Sequence, residues 1–339
     1  MLKRVYTILG VYGAVAPFLL AKFSPALFDG WFPRWSRLVS ALVSNITSVV
    51  PFPVAEILIY AAPVAVPVYW TVSFKRRRDF RRALHVTFVW AGALAAVFVW
   101  VWGLNYFCAT PSARMGIEPS PATVEELIRT AEYYRDGANR AYVSLDRDFD
   151  GLAASVAGGY SKLSEEYGFI HSNPAKPKSL VFGVVQSYLG ISGIYMPWTG
   201  ECCVVGDTPL PNLPATMAHE LAHRQGAAPE DEANFLGIIA CLASDDPRVQ
   251  YSGMFYAFIH LSNAVYAHDK EAHAELWRGL DGRVADDLRS VTRHYEQYDG
   301  PASEAGEAIN DAYLHVMQQP EGVRSYGMVV DLLIAYNNR

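Results

Sequence analysis

Three long apolar stretches dominate the first third of the chain, and amphipathic patterning takes over after them. Residues 5–21 are uncharged and apolar. Residues 54–74 are apolar apart from Glu56 near their start, and residues 83–107 carry no formal charge, only His85 near their beginning. Each is close to the ~20 residues a helix needs to cross ~30 Å of hydrocarbon. The pattern therefore predicts three transmembrane helices, at about 5–21, 54–74 and 83–107. Pro63 and Pro67 are compatible with this, because neighbouring helices can re-satisfy the carbonyls a proline frees. Trp100, Trp102 and Tyr106 suit an interfacial belt. A cleaved signal peptide is the competing reading of the first stretch. Its apolar run is long and no small-x-small cleavage site stands out, so it is read as a retained anchor. The loop between the first two spans should hold an interfacial helix near residues 38–49.

Beyond residue 108 the periodicity is mainly helical. Thr123-Val-Glu-Glu126 reads as a capping box opening a helix toward Tyr142. Residues 152–167 form a second helical stretch, weakened by Gly158-Gly159. From 179 to 205 the character changes. Leu180-Val-Phe, Val184-Val185 and Gly193-Ile-Tyr-Met look like short strands broken by Gly and Pro. Pro214 opens a helix that Gly226 ends, and Pro229 opens another through about Ala243. Helices over 247–268, 269–298, 303–318 and 325–336 complete the chain. The expected fold is α+β and mainly helical, with a membrane domain over 1–107 and one further domain with a small sheet over 108–339.

Charge divides at the same place. Residues 1–107 hold three acidic side chains (Asp29, Glu56, Asp79) against eleven Lys/Arg, a net of +8; the remainder holds 31 against 17, a net of −14. An acidic C-terminal part excludes a nucleic-acid partner and leaves the lipid bilayer as partner of the basic part. Lys75, Arg76, Arg77, Arg78, Arg81 and Arg82 lie between the second and third spans. By the positive-inside rule they are cytoplasmic, as are Lys3 and Arg4. Residues 108–339 of this multi-pass membrane protein should then be extracytoplasmic. The four cysteines (Cys108, Cys202, Cys203, Cys241) form no disulfide framework and read as buried thiols.

The strongest chemical signal is His219-Glu220-Leu221-Ala222-His223. On a helix, i and i+4 share a face, so both imidazoles can reach one zinc ion at ~2.0–2.1 Å. Glu220, rotated by about 100°, can touch a metal-bound water without ligating the metal. With nine His and 34 acidic residues in 339, chance supplies about 0.02 such matches, so the motif calls for a chemical reading. Two His and one carboxylate leave a coordination position open, as catalytic zinc requires. The third ligand should come from Glu230-Asp231-Glu232-Ala233-Asn234. Glu230 and Asn234 share a face with Gly237 and Cys241, so Glu230 could ligate while Asn234 hydrogen-bonds a ligating His. Glu232, pointing elsewhere, is the alternative ligand.

HELAH followed by Gly226 and E-x-x-A-N resembles the gluzincin type of zincin metallopeptidase. There HExxH supplies two ligands and a Glu opening an E-x-x-x-[DN] helix supplies the third. More closely, HELAHRQG with EDEANFLG, the upstream SGIYMPWTGE and three N-terminal spans look like an uncharacterised family of bacterial membrane proteins. The resemblance implies a zincin-like metallopeptidase domain, one Zn²⁺ per chain and a peptide or protein substrate. It also implies a substrate-binding edge strand at Gly193, Ile194 and Tyr195. Two departures stand out: the gap from His223 to Glu230 is short, and Asn234 occupies the usual Asp position. A donor for the developing oxyanion is expected downstream, with Tyr326 and Tyr251 as candidates.

The expected function is a membrane-anchored zinc-dependent metallopeptidase, a hydrolase with Glu220 as general base. The alternative is a non-catalytic envelope scaffold retaining a structural or vestigial HExxH site. An intramembrane protease is disfavoured, because HELAH sits beside Pro214, Arg224 and Gln225 rather than in an apolar span.

Overall fold

The structure is a computed structural model and describes residues 2–77, 80–119, 122–317 and 326–339; for 2–11, 76–77 and 326 it describes the backbone alone. The chain divides into two compact units, residues 1–109 with 196–201 and residues 110–195 with 202–339.

The first unit comprises α1 (Leu2–Phe23), α2 (Ala26–Asp29), α3 (Phe32–Thr47), α4 (Val54–Arg77), α5 (Phe80–Val101) and a 3₁₀ turn (Gly103–Phe107). Among the described residues two helices are long and apolar enough to cross a membrane, Val54–Lys75 and Phe80–Val101, and few of their residues are buried in the protein. The third expected span corresponds to α5, which stops at Val101 rather than Phe107. Trp102 leaves helical geometry there and a 3₁₀ turn follows. The first expected span falls on α1. Side chains of α1 are described only from Tyr12 onward, and the apolar stretch Tyr12–Phe23 is shorter than a crossing. Ala14, Ala21, Phe28, Phe32, Val99 and Leu104 form this unit's small core.

Residues 196–201, sequence-distant from the rest of this unit, join it through directed contacts. The Glu201 carboxylate accepts the backbone N–H groups of Val54 and Ala55 at 3.1 and 2.7 Å, satisfying donors that the start of α4 would otherwise leave open. Trp198 Nε1 donates to Leu94 O at 3.1 Å and its ring packs on Phe98. A boundary read from charge alone, near 107, has no means of finding this excursion.

The second unit runs α6 (Pro111–Arg114), α7 (Val124–Ala141), α8 (Phe149–Glu166), β1 (Lys178–Leu180), α9 (Gly183–Ser187), β2 (Gly193–Met196), β3 (Glu201–Val205), α10 (Leu213–Arg224) and α11 (Glu230–Ala243). It continues with α12 (Pro247–His268), α13 (Lys270–Arg278), α14 (Gly282–Glu296), α15 (Pro301–Val316) and α16 (Tyr326–Asn337). The sheet order is β1-β3-β2, with β1 parallel to β3 and Leu180 opposite Val205. Helices α10, α11 and α12 pack on one another and on α7, α8 and α16. Their core includes Tyr134, Leu213, Met217, Leu221, Phe235 and Phe255.

Local chemistry accounts for most boundaries. Thr123 and Glu126 form the expected capping box on α7. The strand expected at Val184-Val185 is instead α9: β1 ends where its partner β3 ends, so no ladder remains to extend, and the chain coils with Val184 and Val185 exposed. The helix expected over 269–298 is broken, because Asp281 accepts the N–H of Arg283 at 2.9 Å and starts α14 anew after Gly279. β3 was not expected as an element.

The two glycines of α8 differ in what surrounds them. A Cβ at Gly159 would lie 2.1 Å from the Ala240 carbonyl oxygen, so this position sets how closely α8 and α11 approach; Gly158 faces open space. Gly158→Ala should stabilise the fold by about 0.5–1 kcal/mol through helix propensity. Gly159→Ala should destabilise it by about 1–3 kcal/mol through overpacking. Denaturant midpoints of the two variants in detergent micelles check the opposite signs.

Candidate metal centre

The centre is assembled from two helix ends and the turn between them. α10 begins with Pro214 in its first turn and runs through His219, Glu220 and His223. Gly226, at φ +96°, lets the chain leave the helix sharply, a conformation that glycine adopts without penalty. The fully buried Ala227 and Ala228 then lead to Pro229 and α11, which Glu230 opens. Gly237 permits close approach of the two helices: a Cβ there would lie 3.0 Å from the His219 backbone nitrogen.

This packing brings three ligand atoms together. His219 Nε2 and His223 Nε2 lie 3.1 Å apart. Glu230 Oε2 lies 3.2 Å from the first and 3.7 Å from the second. Among the described residues, His219, His223 and Glu230 are the group of His, Cys, Asp and Glu side chains that could hold a metal ion. Glu232 does not join them. Its carboxylate accepts the N–H of Ser112 at 2.9 Å and also the Ser112 hydroxyl, which commits it to the start of α6.

The far side of each imidazole fixes its tautomer. His219 Nδ1 meets Asn234 Oδ1 at 2.8 Å, and His223 Nδ1 meets the Ala227 carbonyl at 2.7 Å. Tyr256 adds a hydroxyl donor to the same Asn234 oxygen at 3.3 Å. Carbonyl oxygens only accept, so each Nδ1 carries the proton and each neutral ring presents an Nε2 lone pair to the centre. Two lone pairs and a carboxylate then face one another, a donor set that could hold a metal ion. A tetrahedral ion 2.0–2.1 Å from each donor would separate the donors by about 3.3 Å. The observed 3.1, 3.2 and 3.7 Å bracket that value.

Protonation reflects the same geometry. Burial alone would lower His223, but Glu230, Glu220 and the Ala227 carbonyl outweigh it and raise its pKa to about 9. Burial would raise Glu230, yet His223 and His219 hold it well below the usual carboxylate range. The raised His223 pKa and the lowered Glu230 pKa together favour an imidazolium–carboxylate pair.

Glu220 lies outside this triad and beside the sheet. It is buried, accepts a backbone hydrogen bond from Tyr195, and has its pKa raised chiefly by burial. β2 is an edge strand, and a Cβ at Gly193 would lie 2.4 Å from Glu220 Oε1. A side chain at Gly193 would displace the Glu220 carboxylate from its place beside the strand. Ile194 and Tyr195 continue the strand.

Other sequence candidates fall elsewhere. Tyr251 is fully buried and donates to Asp287 Oδ2 at 2.6 Å, so its hydroxyl is engaged. Tyr326 opens α16, and its side chain lies outside the described residues. His260 is half-buried on α12 against Tyr256, with its pKa lowered to about 4 by desolvation and by His219. His315 is exposed. Cys202, Cys203 and Cys241 are buried and in no disulfide, whereas Cys108, expected to be buried as well, is half-buried. Sequence reasoning missed the Ala227 carbonyl and Tyr256. The positive-φ turn at Gly226 signals the first; nothing in local spacing signals the second.

Residues 31–334 match the model of a family described as a protein of unknown function, DUF3810. No curated protein matches the chain, and no solved structure does.

Replacing Asn234 by Ala removes the acceptor that orients His219, and zinc affinity should fall about 10–100-fold while the fold persists; competition with a chromophoric chelator measures this. The raised His223 pKa makes a second prediction. In metal-free protein its stabilising contribution is fully present below about pH 6.5, the unfolded value, and is lost as pH rises through about 9. Stoichiometric zinc displaces that proton, so thermal unfolding at pH 6 and pH 9 should show a falling Tm without metal and a maintained Tm with it.

Proposed function

The chain belongs to this family of unknown function, DUF3810, and from the geometry of its centre we propose that it is a membrane-anchored zinc-dependent metallopeptidase. One observation carries the reading: His219, His223 and Glu230 converge as three donors, and the carboxylate of Glu220 stands beside them at the sheet edge. In this reading the HELAH motif and the Glu-x-x-x-Asn helix are those of a gluzincin-type zincin. A structural zinc site is usually closed by four protein ligands, whereas three leave room for a substrate or water. A zinc ion bound here supplies Lewis acidity toward a carbonyl oxygen and toward water.

The remaining chemistry belongs to the chain. Glu220 takes a proton from the attacking water and delivers it to the leaving amine. Its burial favours the neutral form and lifts its pKa toward the range where a carboxylate can both accept and return a proton. The edge of β2 offers main-chain donors and acceptors to an extended peptide, which would lie alongside Glu220 as an added strand. Asn234 and the Ala227 carbonyl hold the imidazoles in the orientation that keeps both Nε2 atoms available.

The bilayer completes the reading. α4 and α5 are taken as spanning helices, with α1 as a third. The Lys75 to Arg82 cluster is cytoplasmic by the positive-inside rule, and the metal-centre unit is extracytoplasmic.

Glu220→Gln keeps the size and hydrogen-bonding of the side chain but removes the base. The variant should bind zinc stoichiometrically and lose peptide hydrolysis by at least about 100-fold. Zinc content and cleavage of a quenched-fluorescent peptide library, measured on wild type and variant, test this. Full activity in the variant overturns the role of Glu220. Well-folded wild type that takes up no zinc overturns the enzyme reading in favour of a scaffold.

A further inference from the structure

Helix α3 presents its two faces the wrong way round for a helix in water. Trp35, Leu38, Leu42 and Ile46 lie within an arc of about 80° on the helical wheel, and Trp31 and Val49 extend the stripe at either end. All six are between 45% and 81% exposed. Ser36, Arg37, Ser40 and Ser44, on the opposite face, are buried. A helix at the surface of a soluble domain turns its apolar stripe to the core and its polar face outward. α3 does the reverse.

The polar face has a specific occupant. A Cβ at Gly200, whose φ is +64°, would lie 2.7 Å from Ser44 N and 2.8 Å from Ser40 O, so the turn touches the α3 backbone directly. The Thr47 hydroxyl donates to Thr199 O at 3.0 Å. Asn105 Nδ2 donates to Ser36 Oγ at 2.9 Å and fastens the other end of the same face. The segment so held, Met196–Glu201, links β2 to β3.

The apolar face is matched to lipid. α3 packs on α5, an apolar helix that exposes Phe88, Trp90, Leu94, Val97 and Trp100. Trp35 Nε1 donates to Trp100 O at 2.9 Å, which ties α3 to the C-terminal end of α5. Trp100 and Trp102 sit at that end, and the Trp198 ring packs on Phe98 there. Tryptophans concentrate where hydrocarbon meets headgroups, with the ring in an apolar layer and the N–H near polar groups. α3 contains no acidic residue, and Arg34 is exposed beside the stripe, which complements anionic headgroups.

We propose that α3 is a monotopic helix lying in the membrane–water interface, with Trp35, Leu38, Leu42 and Ile46 in lipid and its serine face serving as the seat of the Met196–Glu201 turn. The proposal rests on the reading of α4 and α5 as membrane spans, and the experiment separates the two.

Full-length protein with Cys108→Ser is placed in nanodiscs containing phosphatidylglycerol, and a nitroxide is attached at Leu42→Cys or, separately, at Phe88→Cys on α5. Power saturation with oxygen and a water-soluble nickel complex reads depth. The expected result is a Leu42 label about 5–10 Å below the phosphates and a deeper Phe88 label. A Phe88 label open to nickel overturns the spanning reading itself. A deep Phe88 label with a nickel-accessible Leu42 overturns the proposal alone, as does a Leu42 label broadened by spin–spin coupling to a second copy. The seat is tested by hydrogen exchange of the 196–201 peptide in Thr47→Val and Gly200→Ala. Exchange at least tenfold faster than wild type, with α5 unchanged, is expected, and wild-type exchange in both variants overturns the seat.

Discussion

Two imidazole nitrogens and a carboxylate oxygen that converge to 3.1–3.7 Å cannot remain together as bare acceptors. This constraint organises the second unit. Both Nδ1 atoms must be tied to acceptors so that both Nε2 lone pairs point inward, which requires Asn234 on one side and the Ala227 carbonyl on the other. Asn234 reaches His219 only because α11 approaches α10 at Gly237, and Ala227 reaches His223 only because Gly226 adopts a positive φ. Gly159 in turn lets α8 close against α11. The small residues of these helices let the backbones approach closely enough for the donors to converge.

Glu220 experiences a different environment one residue away from a ligand. It borders the edge strand as well as the convergent donors, and burial outweighs the charges of His219 and His223 in its protonation. Glu230, on the next helix, is held in the opposite direction by two histidines. Two carboxylates at one centre are thus displaced to opposite sides of their ordinary range, and distinct chemical roles can be divided between them.

Much of this centre was legible in the sequence because its information is local. The i, i+4 spacing of His219 and His223, the shared face of Glu230, Asn234 and Gly237, and the Pro214 and Gly226 boundaries all follow from helix geometry within a short window. That facing argument also separates Glu230 from Glu232, whose carboxylate lies at Ser112. The misreadings have tertiary causes. Val184 and Val185 have strand propensity but no ladder to join, and Asp281 interrupts a helix that periodicity alone would continue. The Tyr256 hydroxyl meets Asn234 from a helix that no spacing rule connects to it. The two faces of α3 were half visible: periodicity marked a helix over residues 38–49, but what its serine face holds depends on residues some 150 positions away.

The excursion of residues 196–201 has a consequence for modularity. The chain passes between its two units at 109, at 195 and at 201, rather than once. A soluble fragment beginning at residue 110 would therefore carry Trp198 and Glu201 away from the Leu94 carbonyl and the amide groups of α4 that they satisfy. The remaining helices would lose an N-terminal cap of their own. The two parts are consequently poor candidates for independent exchange by recombination, and a lineage that keeps one is under physical pressure to keep both.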